Sequence, residues 1–130
     1  MNIVIDTSVL IAVLVSEPER GRIIRQTEGY DLIAPGSVHW EVGNALAAML
    51  KRKRINYEQV MATLRAYERI PIGFRDVDIG LAMDIAYEHD LYAYDAYVIA
   101  CAREIRCALI SLDKNLLHAA RKASVSIMEV

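Results

Sequence analysis

A chain of 130 residues suits one globular domain, residues 1–130, and is long enough to bury roughly 70% of its unfolded surface. Hydrophobic residues make up 55% and charged residues 25%, which excludes a disordered chain. With 15 Lys and Arg against 17 Asp and Glu the net charge is −2, so no global basic field grips nucleic acid and any such contact must be local.

Asn2 to Ile5 reads as a short buried strand. The apolar run then continues as a helix from Ser8 to about Val15, with Asp6 inside the run. The run is too short to span a bilayer, carries an acid and lacks a basic leader, so neither a membrane span nor a signal peptide is expected. Pro18 suits a helix start, which predicts a second helix from Glu17 to Thr27. Asp31 to Ala34 is a short strand closed by Pro35-Gly36. Ser37 then caps a long helix to about Lys53, with Val38, Val42, Ala45, Leu46 and Met49 on one apolar face. Asn56 can cap a helix reaching about Arg69, and Ile70 to Phe74 is a strand or extended link. Asp76 starts a helix to about His89. Tyr94 to Ile105 is a helix apolar nearly all round, expected to be buried centrally. Ala108 to Ser111 is a strand, Asp113 to Lys122 a helix and Val125 to Met128 a last strand. Alternation of this kind implies an α/β fold, a parallel sheet with helices on both faces. Cys101 and Cys107 read as small core thiols of a cytoplasmic protein. His39, His89 and His118 lie too far apart for a zinc pattern.

Burying an unpaired carboxylate costs several kcal/mol, so Asp6 needs a hydrogen-bond partner, a capping role or a cation. In a parallel sheet the C-terminal ends of all strands share one edge, and the following helices begin there. Asp6 follows the first strand, Asp113 follows the ALIS strand after one leucine, and Asp95 stands at the start of the buried helix. Glu41 lies about one turn into the helix that begins at Ser37. Each of the three aspartates alone reads equally well as an N-cap, worth roughly 1 kcal/mol. Glu41 alone reads as a snorkelled edge residue. Together they place four like charges at one rim, where each raises the pKa of the others. No Lys or Arg lies within two residues of Asp6 or Asp95, and Lys114 beside Asp113 is expected to point elsewhere. Oxygen donors without His or Cys select hard cations, Mg²⁺ or Mn²⁺. Such a centre suits phosphodiester hydrolysis.

At these residues the chain resembles a known family. IVIDTSVLI, SVHWEVGNAL, LYAYDAYVIACA and ALISLDKNLL look like the four signature segments of PIN domains, and in particular of VapC-type ribonuclease toxins of toxin–antitoxin pairs. The likeness runs from Asn2 to the final strand. It implies a PIN-like three-layer α/β/α fold around a central parallel sheet, a Mg²⁺- or Mn²⁺-dependent endoribonuclease, a homodimer and inhibition by a cognate antitoxin. Carried over by motif, Asp6, Glu41, Asp95 and Asp113 form the catalytic, metal-binding quartet. Asp6 and Asp95 bind most directly, Asp113 completes the site directly or through water, and Glu41 holds metal or orients the attacking water. Ser8, or Thr7, supports Asp6 by hydrogen bonding. Asn44, at i+3 from Glu41, and Asn115 are supporting candidates.

Other features have plainer readings. The KRKR run at 51–54 lies roughly 15 Å or more from Glu41 along its helix, and cations at a helix C-terminus complement the dipole. Trp40, Tyr92, Tyr94 and Tyr97 could stack on bases or pack in the core or an interface. Tyr92 and Tyr94 flank the acids and are the substrate-binding candidates among them. His39 and His89 read as surface or cap residues. Two other functions compete with RNA cleavage. A phospho-accepting receiver domain has similar size and acids at strand ends, but needs an acidic pair after its first strand, where this chain has Asp6 alone. A non-catalytic PIN-fold binding protein would leave the intact quartet without a role.

Overall fold

The computed structural model describes residues 1–130. In chain order it forms β1 (Asn2–Ile5), α1 (Thr7–Leu14), α2 (Arg20–Thr27), β2 (Asp31–Pro35), α3 (Ser37–Lys51) and α4 (Tyr57–Glu68). There follow β3 (Ile72–Arg75), α5 (Ile79–His89), α6 (Ala93–Ile105), β4 (Ala108–Ile110), α7 (Lys114–Lys122) and β5 (Ile127–Met128). All strand pairs are parallel, in the order β3-β2-β1-β4-β5. Right-handed crossovers put α1 to α4 on one face and α5 to α7 on the other, the three-layer arrangement the alternating pattern predicts. No helix is long and apolar enough to cross a membrane.

The sheet is covered on both faces, so its central strands are apolar throughout rather than alternating. Ile3, Val4 and Ile5 of β1 and Leu109 and Ile110 of β4 are buried. The α6 helix packs across β1, β2 and β4. Its Ala96 and the run Val98 to Ala102 are buried, as expected of a helix apolar nearly all round. Small alanines there let the helix approach the strands closely. On the opposite face α3 buries Val38, Val42 and Leu46, one side of a 3.6-residue repeat. Asn56 caps α4 in a reciprocal capping box with Gln59, both bonds being 2.8 Å.

Against the sequence expectation α1 begins at Thr7 rather than Ser8, β3 at Ile72 rather than Ile70 and β5 at Ile127 rather than Val125, and four further helix starts differ, each for a local reason. Pro18 lies in a turn in which Arg20 N–H donates to Glu17 C=O, so α2 begins at Arg20. Ser37 does not cap α3. Gly36 is already helical at φ −55°, ψ −28°, with its N–H held by Arg75 C=O on β3, which turns Ser37 into the helix and leaves its hydroxyl buried without a partner. The pairing of Pro35 with Arg75 keeps the chain extended past Asp76, and Asp78 caps α5 instead, accepting from Gly80 N–H at 2.9 Å. The cap of α6 is the extended Tyr92, two residues before the expected start at Tyr94.

Candidate metal centre

The chain leaves β1 toward one face of the sheet and leaves β4 toward the other. That reversal opens a crevice beyond the strand ends, where open α/β sheets bind ligands. Register places the walls of the crevice. Ile5 pairs with Ile110, so the next residues, Asp6 and Ser111, stand side by side. Ser111 Oγ donates to Asp6 Oδ2 at 2.6 Å, and Ser8 Oγ donates to Asp6 Oδ1 at 2.7 Å. Asp6 also caps α1, accepting from Val9 N–H at 3.3 Å. The two serines extend the network: Leu112 N–H donates to Ser8 Oγ at 3.0 Å and Asp113 N–H donates to Ser111 Oγ at 2.9 Å. Asp6 is only 7% exposed. Burial pushes its carboxyl above the ordinary range, the donors from Ser111, Ser8 and Val9 pull it back, and the Asp113 charge adds to the rise.

The other three acids join the same field. Glu41, five residues into α3 counting from Ser37, has its pKa raised from 4.5 to about 6 by burial, with Asp6 and Asp95 adding to the rise. Its Oε2 is buried and has no hydrogen-bond partner. Thr7, whose Oγ1 is also buried and unpartnered, lies close enough to offset part of the shift without a formed hydrogen bond. Asp95 is raised by burial and by Asp113. It is the third residue of α6 and accepts no capping bond, so the N-cap reading of this acid does not hold. Asp113 does cap α7, accepting from Asn115 N–H at 2.9 Å and Leu116 N–H at 3.2 Å. Lys114 makes no ion pair with it; the one Lys or Arg ion pair in the chain is Arg121 with Glu129.

The sequence candidates therefore separate. Asp6, Glu41, Asp95 and Asp113 are electrostatically linked along one rim. Ser8 is the hydroxyl on Asp6, and Thr7 sits beside Glu41 instead. Asn44 is exposed, and Asn115 meets Asp113 through its backbone N–H. Tyr92 and Tyr94 are 88% and 58% exposed, and the Tyr94 ring meets Tyr97 edge-on at 6.0 Å. Trp40 is 75% exposed, and its neighbour His39 bonds Tyr67 Oη through Nδ1 at 2.9 Å. Ser111 is the functional candidate that the sequence reading missed. Its signal was a hydroxyl closing an otherwise apolar strand, one residue pair from an acid.

No three acidic, His or Cys side chains form a ready cage for a metal ion. The rim still fits a hard divalent cation in donor chemistry. Its donors are all oxygens, one buried carboxylate oxygen has no partner, and every shifted acid is shifted toward neutrality. Mg²⁺ keeps several waters and takes only one or two protein carboxylates, so a closed cage is not required.

Residues 3–122 match the family model described as the PIN domain. The chain belongs to the PIN-domain family. Within it, the chain is similar to ribonuclease VapC9 of Mycobacterium tuberculosis, 28% identical over 115 residues, covering 88% of this chain and 87% of that one. Among solved structures it resembles PAE2754 from Pyrobaculum aerophilum, with a TM-score of 0.75 at 22% identity, covering 100% of this chain and 90% of that one. It also resembles VapBC2 from Rickettsia felis bound to a promoter DNA fragment, with a TM-score of 0.70 at 11% identity, covering 99% and 98% of the two chains. The structural likenesses carry the PIN fold. The strand order also sets aside the receiver-domain alternative, whose doubly wound sheet runs 2-1-3-4-5.

Proposed function

We propose that this PIN domain is a Mg²⁺- or Mn²⁺-dependent endoribonuclease of the VapC type, acting as one domain over residues 1–130 and held in check by a cognate antitoxin. The observation that carries the reading is the buried, unpartnered Glu41 Oε2 in the shared field of Asp6, Asp95 and Asp113. The name of the VapC9 relative supports RNA as the substrate, and the VapBC2 likeness supports a partner protein. A homodimer in the cytoplasm is the matching physiological form.

Asp6, Asp95 and Asp113 would hold the cation, and Glu41 would share it or face the attacking water. Bound there, Mg²⁺ or Mn²⁺ supplies positive charge against the phosphoryl oxygens and makes a nearby water more acidic. Ser8 and Ser111 aim the two Asp6 oxygens, so the carboxylate is oriented before substrate arrives. Glu41 Oε2 takes the proton of the attacking water. That oxygen has no hydrogen-bond partner, so a lone pair is free to accept the proton. Asn44 and Asn115 stand near enough in sequence to Glu41 and Asp113 to support them through water. Exposed Tyr92 and Tyr94 flank Asp95 and offer ring faces to unpaired bases.

The test is cleavage of structured RNA by the purified chain, freed of any partner, with Mg²⁺ or Mn²⁺. Activity that is lost with EDTA and lost in Asp6→Asn supports the reading. RNA left intact under all metal conditions by well-folded protein refutes it and favours a non-catalytic binding protein.

A further inference from the structure

A second cleft, about 450 Å³ in volume, opens beside the acidic rim and shares Ser111 with it as a common wall. Its far wall is α7. Lys114, His118 and Arg121 all line the cleft, at i, i+4 and i+7, which puts them on one helix face. Glu129 is the carboxylate lining it, and its Oε1 accepts from Arg121 at 2.6 Å. Lys114 has no carboxylate partner. It is also the first residue of α7, the end of the helix dipole at which a cation is disfavoured. Lys114 is exposed, so its ammonium group is free to meet an anion that enters the cleft.

We propose that this cleft is the backbone-binding subsite for the RNA strand on one side of the scissile phosphodiester, with Lys114 and Arg121 contacting successive phosphates and the His118 ring lying between them. The proposal rests on the ribonuclease reading above. Its chemistry answers a difficulty that reading leaves open. A polyanionic substrate must approach four carboxylates on a chain of net charge −2, so attraction has to come from local Lys and Arg side chains beside the rim. The α7 stripe is a track of them. At 1.5 Å per residue, Lys114 to Arg121 spans about 10 Å, enough to serve two phosphates of an extended single strand. The KRKR run cannot do this from its place, since it sits at the other end of α3 from Glu41. The Arg121–Glu129 pair occupies the track without closing it. A phosphate that displaces Glu129 inherits a fork suited to bidentate contact.

The experiment measures binding of a short fluorescein-labelled single-stranded RNA by anisotropy, in EDTA, over a range of KCl concentrations, beside cleavage of the same RNA with Mn²⁺. The double variant Lys114→Ala with Arg121→Ala is expected to weaken binding on the order of tenfold. The slope of log affinity against log salt is expected to fall by about 1.4, two phosphates at about 0.7 each. KM should rise with a smaller change in kcat. Lys114→Arg should bind as wild type. Glu129→Gln, which frees Arg121, should tighten binding, whereas a purely structural role for that ion pair would leave it unchanged or weaker. If the double variant keeps the wild-type affinity and salt slope while cleavage persists, the strand runs elsewhere and the ribonuclease reading stands. If wild-type protein does not bind the RNA, the subsite falls, and if structured RNA is also left intact with Mn²⁺ the ribonuclease reading falls with it.

Discussion

Where the strands begin, the helix ends are closed by their own neighbours. Arg106 ends α6 in the left-handed region at φ 59°, its N–H donating to Ala102 and Arg103 carbonyls. Ser124 does the same after α7 at φ 63°, and the Arg103 guanidinium donates to Ala123 C=O at 3.0 Å. Of the four buried side-chain atoms without partners, Thr7 Oγ1, Ser37 Oγ and Glu41 Oε2 lie where the strands end and Gln26 Oε1 lies on α2, each at a cost of order 1–3 kcal/mol. The same rim carries the carboxyls that burial and mutual repulsion push toward neutrality. One edge of the sheet stabilises the fold; the other gives up stability.

The largest break in that contrast comes from Asp6→Asn. Cleavage should fall on the order of a thousandfold or more. Thermal stability in EDTA should hold or rise, because a buried charge disappears while the amide oxygen can still accept from Ser8 and Val9 N–H and the amide nitrogen can donate to Ser111 Oγ. A collapse of the fold would instead make Asp6 a structural cap first. Ser111→Ala is the next largest. It removes the donor to Asp6 Oδ2 and the acceptor for Asp113 N–H. Affinity for Mn²⁺, measured by calorimetry, should fall about 10- to 100-fold, while the sheet, held by Ile3 to Ile5 and Leu109 to Ile110, survives.

The rim was legible to different depths. Asp6 stood out because a carboxylate interrupts an apolar strand, and Asp113 because it follows another. The YVIACA helix declared its burial by having no polar face. Ser111 did not declare itself, since its role depends on the pairing of Ile5 with Ile110, a register set across more than a hundred residues by packing rather than by any local pattern. The Ser37 cap was misread, and the cap alternative for Asp95 fell, for a related reason. Which residue starts a helix was decided by β2–β3 pairing in one case and by the extended Tyr92 in the other. Propensity ranks capping residues but does not say which of two neighbours the tertiary contacts select.

A pH series sharpens the contrast. Glu41 has a folded pKa of about 6 against 4.5 for the ordinary group, so the folded chain holds a proton that the unfolded chain has released. That contribution is fully present below pH 4.5 and is lost as pH rises through about 6. Asp6 and Asp95, also raised, act in the same direction. In EDTA the melting temperature should therefore decline over this window. Glu41→Gln should remove about 1 kcal/mol of that decline, allowing for the water around a half-buried group, or roughly 3 °C. Mn²⁺ should flatten the wild-type curve. A wild-type melting curve that rises over the same window in EDTA would mean that the rim acids are paired rather than strained.

The smallest effect is expected at the opposite edge, and it tests the other half of the comparison. Arg106 adopts φ 59° as a non-glycine residue, a conformation that costs any side chain with a Cβ. Arg106→Gly should stabilise the protein by about 0.5–1 kcal/mol, because glycine takes the left-handed turn freely and the backbone bonds to Ala102 and Arg103 remain. Part of the gain is offset by the glycine's greater freedom in the unfolded chain. Cleavage and Mn²⁺ affinity should not move, since the residue lies at the far end of α6 from Asp95. If the same substitution alters the metal response, the two edges communicate through α6, which runs from one to the other, and the division between a stabilising edge and a ligand-bearing edge would have to give way to a coupled description.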